Sequence, residues 1–285
     1  MATSSSVDYE YLRRVVFNQS RNVLEPSCDY LFDTRLIRLM RGHGMSSLEE
    51  LIQHLRQCKS PVLERAVAEA MTINETSFFR DSRPFELLRT ELLPKLIEAR
   101  RSARRLRFWS AACSTGQEAY SLAMLLRQHF STLAGWNIRI EGTDIATEVV
   151  QRARAGCYHR IEINRGLPAR FVVQYFDHLG EDWVAKKEIV AMCNFRQANL
   201  CVSPLPFSAA EPFDVIFLRN VMLYLSKETR LSLLANIHRF LSPDGVLFLG
   251  SSEQPADSSL WTSSLAGGTC NFRPASPASK TTKSQ

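Results

Sequence analysis

Hydrophobic and polar positions along this chain fall into two regimes. From residue 8 to about 78, apolar side chains recur at helical spacing. Four helices are predicted there: Tyr9–Asn18, Asp29–Arg41, Ser47–Cys58 and Pro61–Thr72. Ser47 stands three residues before Glu50, the spacing of a capping box. Gly42 and Gly44 break the chain between the second and third helices. From about residue 81, helix-spaced and strand-like runs alternate. The pattern predicts a helix over Pro84–Ala99, a strand over Leu106–Ala111, a helix over Gln117–Phe130, a strand over Trp136–Gly142 and a helix over Thr147–Ala155. It resumes with a buried strand at Phe213–Leu218 and a helix at Lys227–Leu241. Beyond the turn Ser242-Pro-Asp-Gly245 comes a strand at Gly245–Gly250. Such alternation implies a parallel sheet covered by helices.

The stretch from Gly156 to Arg196 interrupts that order. A helix near Ala169–Phe176 and short strands near Trp183–Ala185 and Ile189–Ala191 make it a small inserted subdomain. The Ser-, Pro-, Lys- and Thr-rich tail from Pro274 is expected to be disordered. The expected fold is α/β. An all-helical domain with a linker covers 1–80, and a doubly wound, mostly parallel-sheet domain covers 81–273, with an inserted β-subdomain at about 157–196.

Within the alternating region, Arg107 to Ala123 carries the most chemistry. Phe108 and Trp109 suit a strand, Ser110 to Gly116 are nearly all small, and Gln117 onward forms a helix. A strand that turns into a helix through small residues lets a ligand approach the backbone, and the helix start offers free N–H groups. Doubly wound folds hold nucleotide-like ligands in this way. Glu118, in the first helical turn, would repel a pyrophosphate but suits a cationic ligand or a ribose hydroxyl. The loop therefore argues against ATP or NAD and toward S-adenosylmethionine. Cys113 reads as one more small residue rather than a nucleophile.

Four further segments bear on the same pocket. Asp144 ends the second strand, where an acidic residue takes ribose hydroxyls or caps the next helix. Asn199 leaves a short strand at Asn194–Leu200, placed either to read an adenine ring or to make an ordinary turn. Arg219 and Asn220 follow the buried strand Phe213–Leu218, at the strand end where open α/β sheets bind ligands. Tyr224 is a pocket residue or a packed aromatic with a surface hydroxyl. Finally Asn74, Thr76 and Arg80 sit in the segment that joins the two regimes. The adjacent Phe78 and Phe79 must be buried, which argues for a segment packed across a cleft.

Composition narrows the class. Apolar content of 45% and charged content of 22% are those of a soluble globular protein. No apolar run reaches the ~18–20 residues of a membrane span, and the N-terminus has no basic-then-apolar leader. The seven cysteines show no Cys-x-x-Cys and no metal spacing, so disulfides and metals are not expected, and a reducing cytoplasm is. A net charge of +6 permits nucleic acid or acidic proteins as partners.

Taken together, Asn74–Arg80, Ser110–Glu118, Thr143–Ile145, Asn199-Leu200 and Arg219–Tyr224 resemble the CheR family of chemotaxis receptor methyltransferases, which are glutamate O-methyltransferases. The resemblance runs from about residue 9 to 273. It implies S-adenosylmethionine contacts from Asn74, Thr76, Arg80, Glu118, Asp144, Asn199, Leu200, Arg219 and Asn220. It places Tyr224 and Arg80 near the transferred methyl. It also favours docking of Arg35, Arg38 and Arg41, at i, i+3 and i+6 on the second helix, onto acidic receptor helices; a solvated stripe is the bland alternative. Some members bind a receptor's C-terminal pentapeptide through a long loop in the insert. The corresponding stretch here, Tyr175 to Trp183, is short, so no tether is expected. A monomer is expected, with no nucleic acid and no membrane insertion. The arginines from Arg100 to Arg107 read as surface. Two rivals remain. A nucleic-acid methyltransferase lacks support, because Leu218 to Met222 holds neither an Asn/Asp-Pro-Pro-aromatic motif nor a catalytic cysteine. A non-catalytic module that binds S-adenosylmethionine is the other.

Overall fold

A computed structural model of the chain describes residues 7–255, 257 and 259–275. Five helices form the N-terminal unit: α1 (Tyr9–Ser20), α2 (Tyr30–Arg35), α3 (Ile37–Gly42), α4 (Leu48–Cys58) and α5 (Pro61–Ala70). The Asp8 side chain caps α1 by accepting the Tyr11 N–H, and Ser60 caps α5 with Pro61 at its first position. Ser47 caps α4 as the spacing implies. Glu50, however, takes the Ser46 N–H at 2.7 Å rather than that of Ser47, so the box is shifted by one residue. Leu12, Val16, Phe32, Leu36, Leu51, Leu55 and Val67 fill the core of this unit. The single helix expected over Asp29–Arg41 is two helices joined at Leu36.

The second unit opens with α6 (Arg83–Leu87), a π turn over Leu88–Leu92 and α7 (Leu93–Ala99). The continuous helix expected over Pro84–Ala99 loosens there for a local reason. Pro94 has no N–H to give and its ring crowds the preceding turn. The rest runs β1 (Arg105–Ala111), α8 (Gln117–His129), β2 (Asn137–Asp144) and α9 (Thr147–Ala155). An insert follows, with β3 (Cys157–His159), α10 (Arg160–Asn164), α11 (Ala169–Tyr175), β4 (Phe176–Leu179), β5 (Asp182–Ala185) and α12 (Lys187–Val190). Then come β6 (Cys193–Gln197), β7 (Phe213–Leu218), α13 (Lys227–Phe240), β8 (Leu241–Leu249), β9 (Trp261–Ala266) and β10 (Thr269–Pro274).

Seven strands form one sheet in the order β6-β2-β1-β7-β8-β10-β9. The five from β6 to β8 are parallel, and β10 and β9 add antiparallel pairs at one edge. The insert is a separate antiparallel sheet, β3-β5-β4. Three expectations need correction here. Ile189–Ala191 falls at the end of the short helix α12, because only Ile189 there is fully buried. The insert ends near Met192 rather than Arg196, since β6 pairs with β2 in the main sheet. The β9–β10 hairpin has no counterpart in the sequence reading. The described part of the expected tail begins with Pro274 inside β10; the remainder, from 276, lies outside the described residues.

The arginines before β1 are not uniformly surface. Arg100 bonds Asp214 at 2.7 Å and Asp244 at 2.6 and 2.9 Å. Arg107 is buried against the Phe213 ring, 4.5 Å from its centroid, and donates to the Glu211 carbonyl. These two hold the start of β1 to β7 and to the turn in β8; Arg101, Arg104 and Arg105 remain exposed.

The linker is packed into the second unit. Phe78 is fully buried, edge-on to Tyr158 and Phe176 at 5.0 and 5.6 Å. Phe79 stacks on Phe171 at 5.4 Å, and its N–H bonds Ser121 Oγ. Glu69 of α5 accepts from Thr147 N at the start of α9 and from Gln197 Nε2. An anionic cap from one unit thus closes a helix N-terminus of the other.

Candidate functional site

In this sheet β1 lies between β2 and β7, so connections leave it in opposite directions and a crevice opens at the strands' carboxyl ends. A cleft with about 940 Å³ of empty space, its open mouth included, occupies that place. Each chain segment singled out above reaches it. The linker brings Asn74, Thr76 and Arg80; the loop after β1 brings Ala112, Cys113 and Ser114; α8 brings Glu118; and β2 ends there at Asp144. Asn199 and Leu200 follow β6, while Arg219, Asn220 and Tyr224 follow β7. Ser20 and Asn22 of the N-terminal unit close one side.

Left-handed backbone clusters around the cleft. Ala112 (φ 58°), Ser114 (φ 50°) and Gly116 (φ 93°) bend the chain sharply between β1 and α8. Only glycine fits at 116, because a Cβ there would lie 3.0 Å from that of Ala153 and 3.2 Å from the Phe195 ring. Phe79, Asp81 and Asn220 are also left-handed. Strain of this kind is tolerated where packing over-determines the backbone, often at functional sites.

The Asp144 carboxylate already serves the backbone. Oδ2 accepts the Ser114 N–H at 2.8 Å and Oδ1 accepts the Ala146 N–H at 3.0 Å. Burial pushes its pKa up, and these amides pull it back. Asp144 is not the cap of α9, since Ala146 holds that position; it staples the β1–α8 loop to the end of β2.

Glu118 is mostly buried, its side chain 13% exposed. Its Oε1 accepts from Ser110 Oγ at 2.7 Å and its Oε2 from Arg219 Nη1 at 3.2 Å. Burial raises its pKa, with the Arg219 charge the main opposing influence. Arg219 in turn donates through Nη2 to Asp81 at 2.6 Å and to the Arg80 carbonyl at 3.0 Å. Its Nε has no partner among the described residues. Arg219 therefore bridges the linker and the first turn of α8. Asp81 was missed in the sequence. Its only signal was its place next to Arg80.

Asn199 joins the two units: its Nδ2 donates to the Gln19 carbonyl at 2.7 Å, and its Oδ1 accepts from Cys201 N at 2.9 Å. Arg80 donates to the Glu75 carbonyl at 2.9 Å. Tyr224 is half-buried, and its carbonyl accepts the Val23 N–H at 2.8 Å. Burial holds the Cys113 thiol well above its usual pKa, so it is no nucleophile at neutral pH. Among the described residues no cluster of His, Cys, Asp and Glu could hold a metal, and no helix is long and apolar enough to cross a membrane.

The arginine stripe does not survive intact. Arg35 turns inward to the carbonyls of Met71 and Thr72, at 3.2 and 3.0 Å, and so closes the end of α5. The break at Leu36 separates it from the other two. Arg38 is exposed and pairs with Glu148 at 2.7 Å, and Arg41 is exposed.

Residues 7–72 match the CheR methyltransferase all-alpha domain, and residues 74–268 match the CheR methyltransferase SAM-binding domain. The chain belongs to the CheR methyltransferase family. It is 39% identical over 255 residues to chemotaxis protein methyltransferase 1 of Pseudomonas aeruginosa, a match covering 88% of this chain and 91% of that one. It is 37% identical over 249 residues to chemotaxis protein methyltransferase Cher2 of Pseudomonas putida, covering 83% and 89%. This CheR-family chain is an S-adenosylmethionine-dependent methyltransferase, and the division between its two matched domains falls at the linker that carries Asn74, Thr76 and Arg80.

Proposed function

We propose that this protein transfers the methyl group of S-adenosylmethionine to glutamate side chains on the cytoplasmic methylation helices of chemoreceptors, forming glutamyl methyl esters. One observation carries this reading. The deep carboxylates of the cleft are already engaged, Glu118 by Ser110 and Arg219 and Asp144 by two backbone N–H groups, and no histidine or lysine is among the described lining residues. Such a site suits an acceptor that needs no general base. A glutamate carboxylate, with a pKa near ~4.3, is already ionised at neutral pH.

When bound, S-adenosylmethionine supplies an electrophilic methyl on a sulfonium. In this proposal Asn74, Thr76, Arg80, Glu118, Asp144, Asn199, Leu200, Arg219 and Asn220 hold it. The carboxylates at 118 and 144 fit a cofactor with hydroxyls and positive charge. Arg80 and Tyr224 align and partly desolvate the acceptor carboxylate, and alignment of that kind can contribute roughly 7–11 kcal/mol. Arg80→Ala and Tyr224→Phe are each expected to lower turnover on receptor fragments by about 10- to 100-fold. Unchanged turnover in both would remove them from the reaction.

Incubation with tritiated donor tests the activity. Base-labile label on receptor fragments, released as methanol, is expected. Stable label on nucleic acid, or no transfer to any acceptor, would overturn the proposal.

Docking is assigned to Arg38 and Arg41, since Arg35 is spent on α5. The insert offers no long loop for a tether: β4 and β5 are joined by Gly180-Glu181 alone. Reversal of Arg38 and Arg41 to glutamate is expected to slow receptor methylation severalfold, with less effect at high salt. The slowing should be the same on fragments with and without a C-terminal pentapeptide. A rate that depends on the pentapeptide, or micromolar binding of it, would reverse the tether assignment. Action in the cytoplasm, where the methylation helices lie, and as a monomer belongs to the same proposal.

A further inference from the structure

The turn that carries Asn220 and Tyr224 is held from behind by a carboxylate that does not line the cleft. Glu253 lies four residues beyond β8 and is buried, 5% exposed. Its Oε2 accepts the N–H groups of Asn220 at 2.8 Å and Gly250 at 2.7 Å. Its Oε1 accepts those of Val221 at 2.9 Å and Met222 at 2.7 Å. A carboxylate offers about four acceptor sites, and here all four take backbone N–H groups. Three of the donors are consecutive. Asn220 is left-handed, with φ 60°, and Met222–Tyr224 is a single 3₁₀ turn. The N–H groups at the start of such a turn have no partner within it. Glu253 supplies one from another strand connection.

Gly250 makes the approach possible. A Cβ at that position would stand 2.7 Å from Glu253 Oε2 and 2.9 Å from Asn220 Nδ2. Arg219, one residue earlier, is held independently by Glu118 and Asp81. What depends on Glu253 is thus the stretch from 220 to 224. The Tyr224 ring makes no hydrogen bond among the described residues; its backbone N–H bonds the Val221 carbonyl within the turn, and its carbonyl is anchored from outside the turn by Val23.

We infer that Glu253 is a positioning residue for methyl transfer. It sets the conformation of the 220–224 turn and, through it, the direction of Tyr224 into the cleft. This inference builds on the assignment of Tyr224 to the acceptor side.

Glu253→Gln tests it. The substitution keeps the shape but turns an NH₂ donor toward two of the N–H groups. In the full chain, kcat for receptor methylation is expected to fall about 100-fold, the scale of an ångström-size misplacement. Affinity for S-adenosylhomocysteine should weaken less than about tenfold. Amide hydrogen exchange should accelerate at residues 220–222 while β1 and β7 stay protected. Gly250→Ala, which displaces the carboxylate from the other side, should reproduce the pattern. Equal losses in turnover, cofactor affinity and β7 protection would reduce Glu253 to a general structural role and overturn the inference. So would unaltered exchange at 220–222, or faster exchange there with unchanged kcat. A wild-type chain that binds S-adenosylhomocysteine but labels no receptor fragment would instead overturn the acceptor assignment. In that case the exchange data would still decide whether Glu253 holds the turn.

Discussion

Replacing Arg219 by methionine is expected to cost about 3–5 kcal/mol of stability at neutral pH and to abolish measurable binding of S-adenosylhomocysteine. Methionine keeps much of the stem and removes the charge. The Arg219 side chain is 2% exposed and that of Glu118 is 13% exposed, so the variant leaves a buried carboxylate without its cation. Asp81, 49% exposed, can turn to solvent and contributes little to the cost. The loss has a predictable pH dependence. Burial raises the folded-state pKa of Glu118, so the folded chain holds that proton more tightly than the unfolded chain. The associated stability is present below the ordinary carboxylate range and is lost as pH rises through the raised value. Arg219 is the main group that pulls the value back down. Its removal extends the window upward. Thermal unfolding of wild type and Arg219→Met at several pH values should show a deficit that is smallest at acid pH and grows toward pH 8. A deficit independent of pH would mean that Glu118 is not the group left uncompensated.

The second large effect is expected at Asp144. Asp144→Ala should weaken S-adenosylhomocysteine binding tenfold or more, about 1.4 kcal/mol. It should also destabilise the apo chain, because the buried N–H groups of Ser114 and Ala146 lose their acceptor. Each such loss costs roughly 1–3 kcal/mol. The left-handed Ser114 depends on that bond, so the β1–α8 loop would relax away from its bound shape. Calorimetric titration and thermal unfolding read the two effects separately. Lower stability with unchanged affinity would leave Asp144 as a staple of the loop and remove it from the cofactor.

Much of the architecture was legible because local chemistry and burial agree. β1 and β7 are buried along nearly their whole length and read as apolar runs, and Ser47 caps a helix where a serine precedes an amphipathic stretch. Reading failed where that agreement is absent. In β9 only Trp261 is buried, so its polar residues carry no strand signal. At Ile189 one buried side chain served a short helix as well as it would have served a strand. The positions of the site were equally legible, since a small-residue loop, an acid ending β2 and polar residues after β7 all fall at strand ends. The roles of individual side chains were less so. Asp144 spends both oxygens on amides, Arg35 closes α5, and Arg100 and Arg107 tie strands together.

The sequence by itself determined the helical unit, the doubly wound order, and which residues arrive at the carboxyl ends of the strands. Spacing and residue type decide those features, because they act within one turn, one strand or one loop. Tertiary structure alone decided the partners of the charges that tie distant segments together: buried Arg219 with Glu118 and Asp81, partly exposed Glu69 with the start of α9, and buried Glu253 with the turn after β7. A charge taken out of water must find its counterpart nearby in space. Which groups are nearby depends on the sheet order that sets β1 between β2 and β7 and β8 beside β7, an order that brings together residues more than a hundred positions apart.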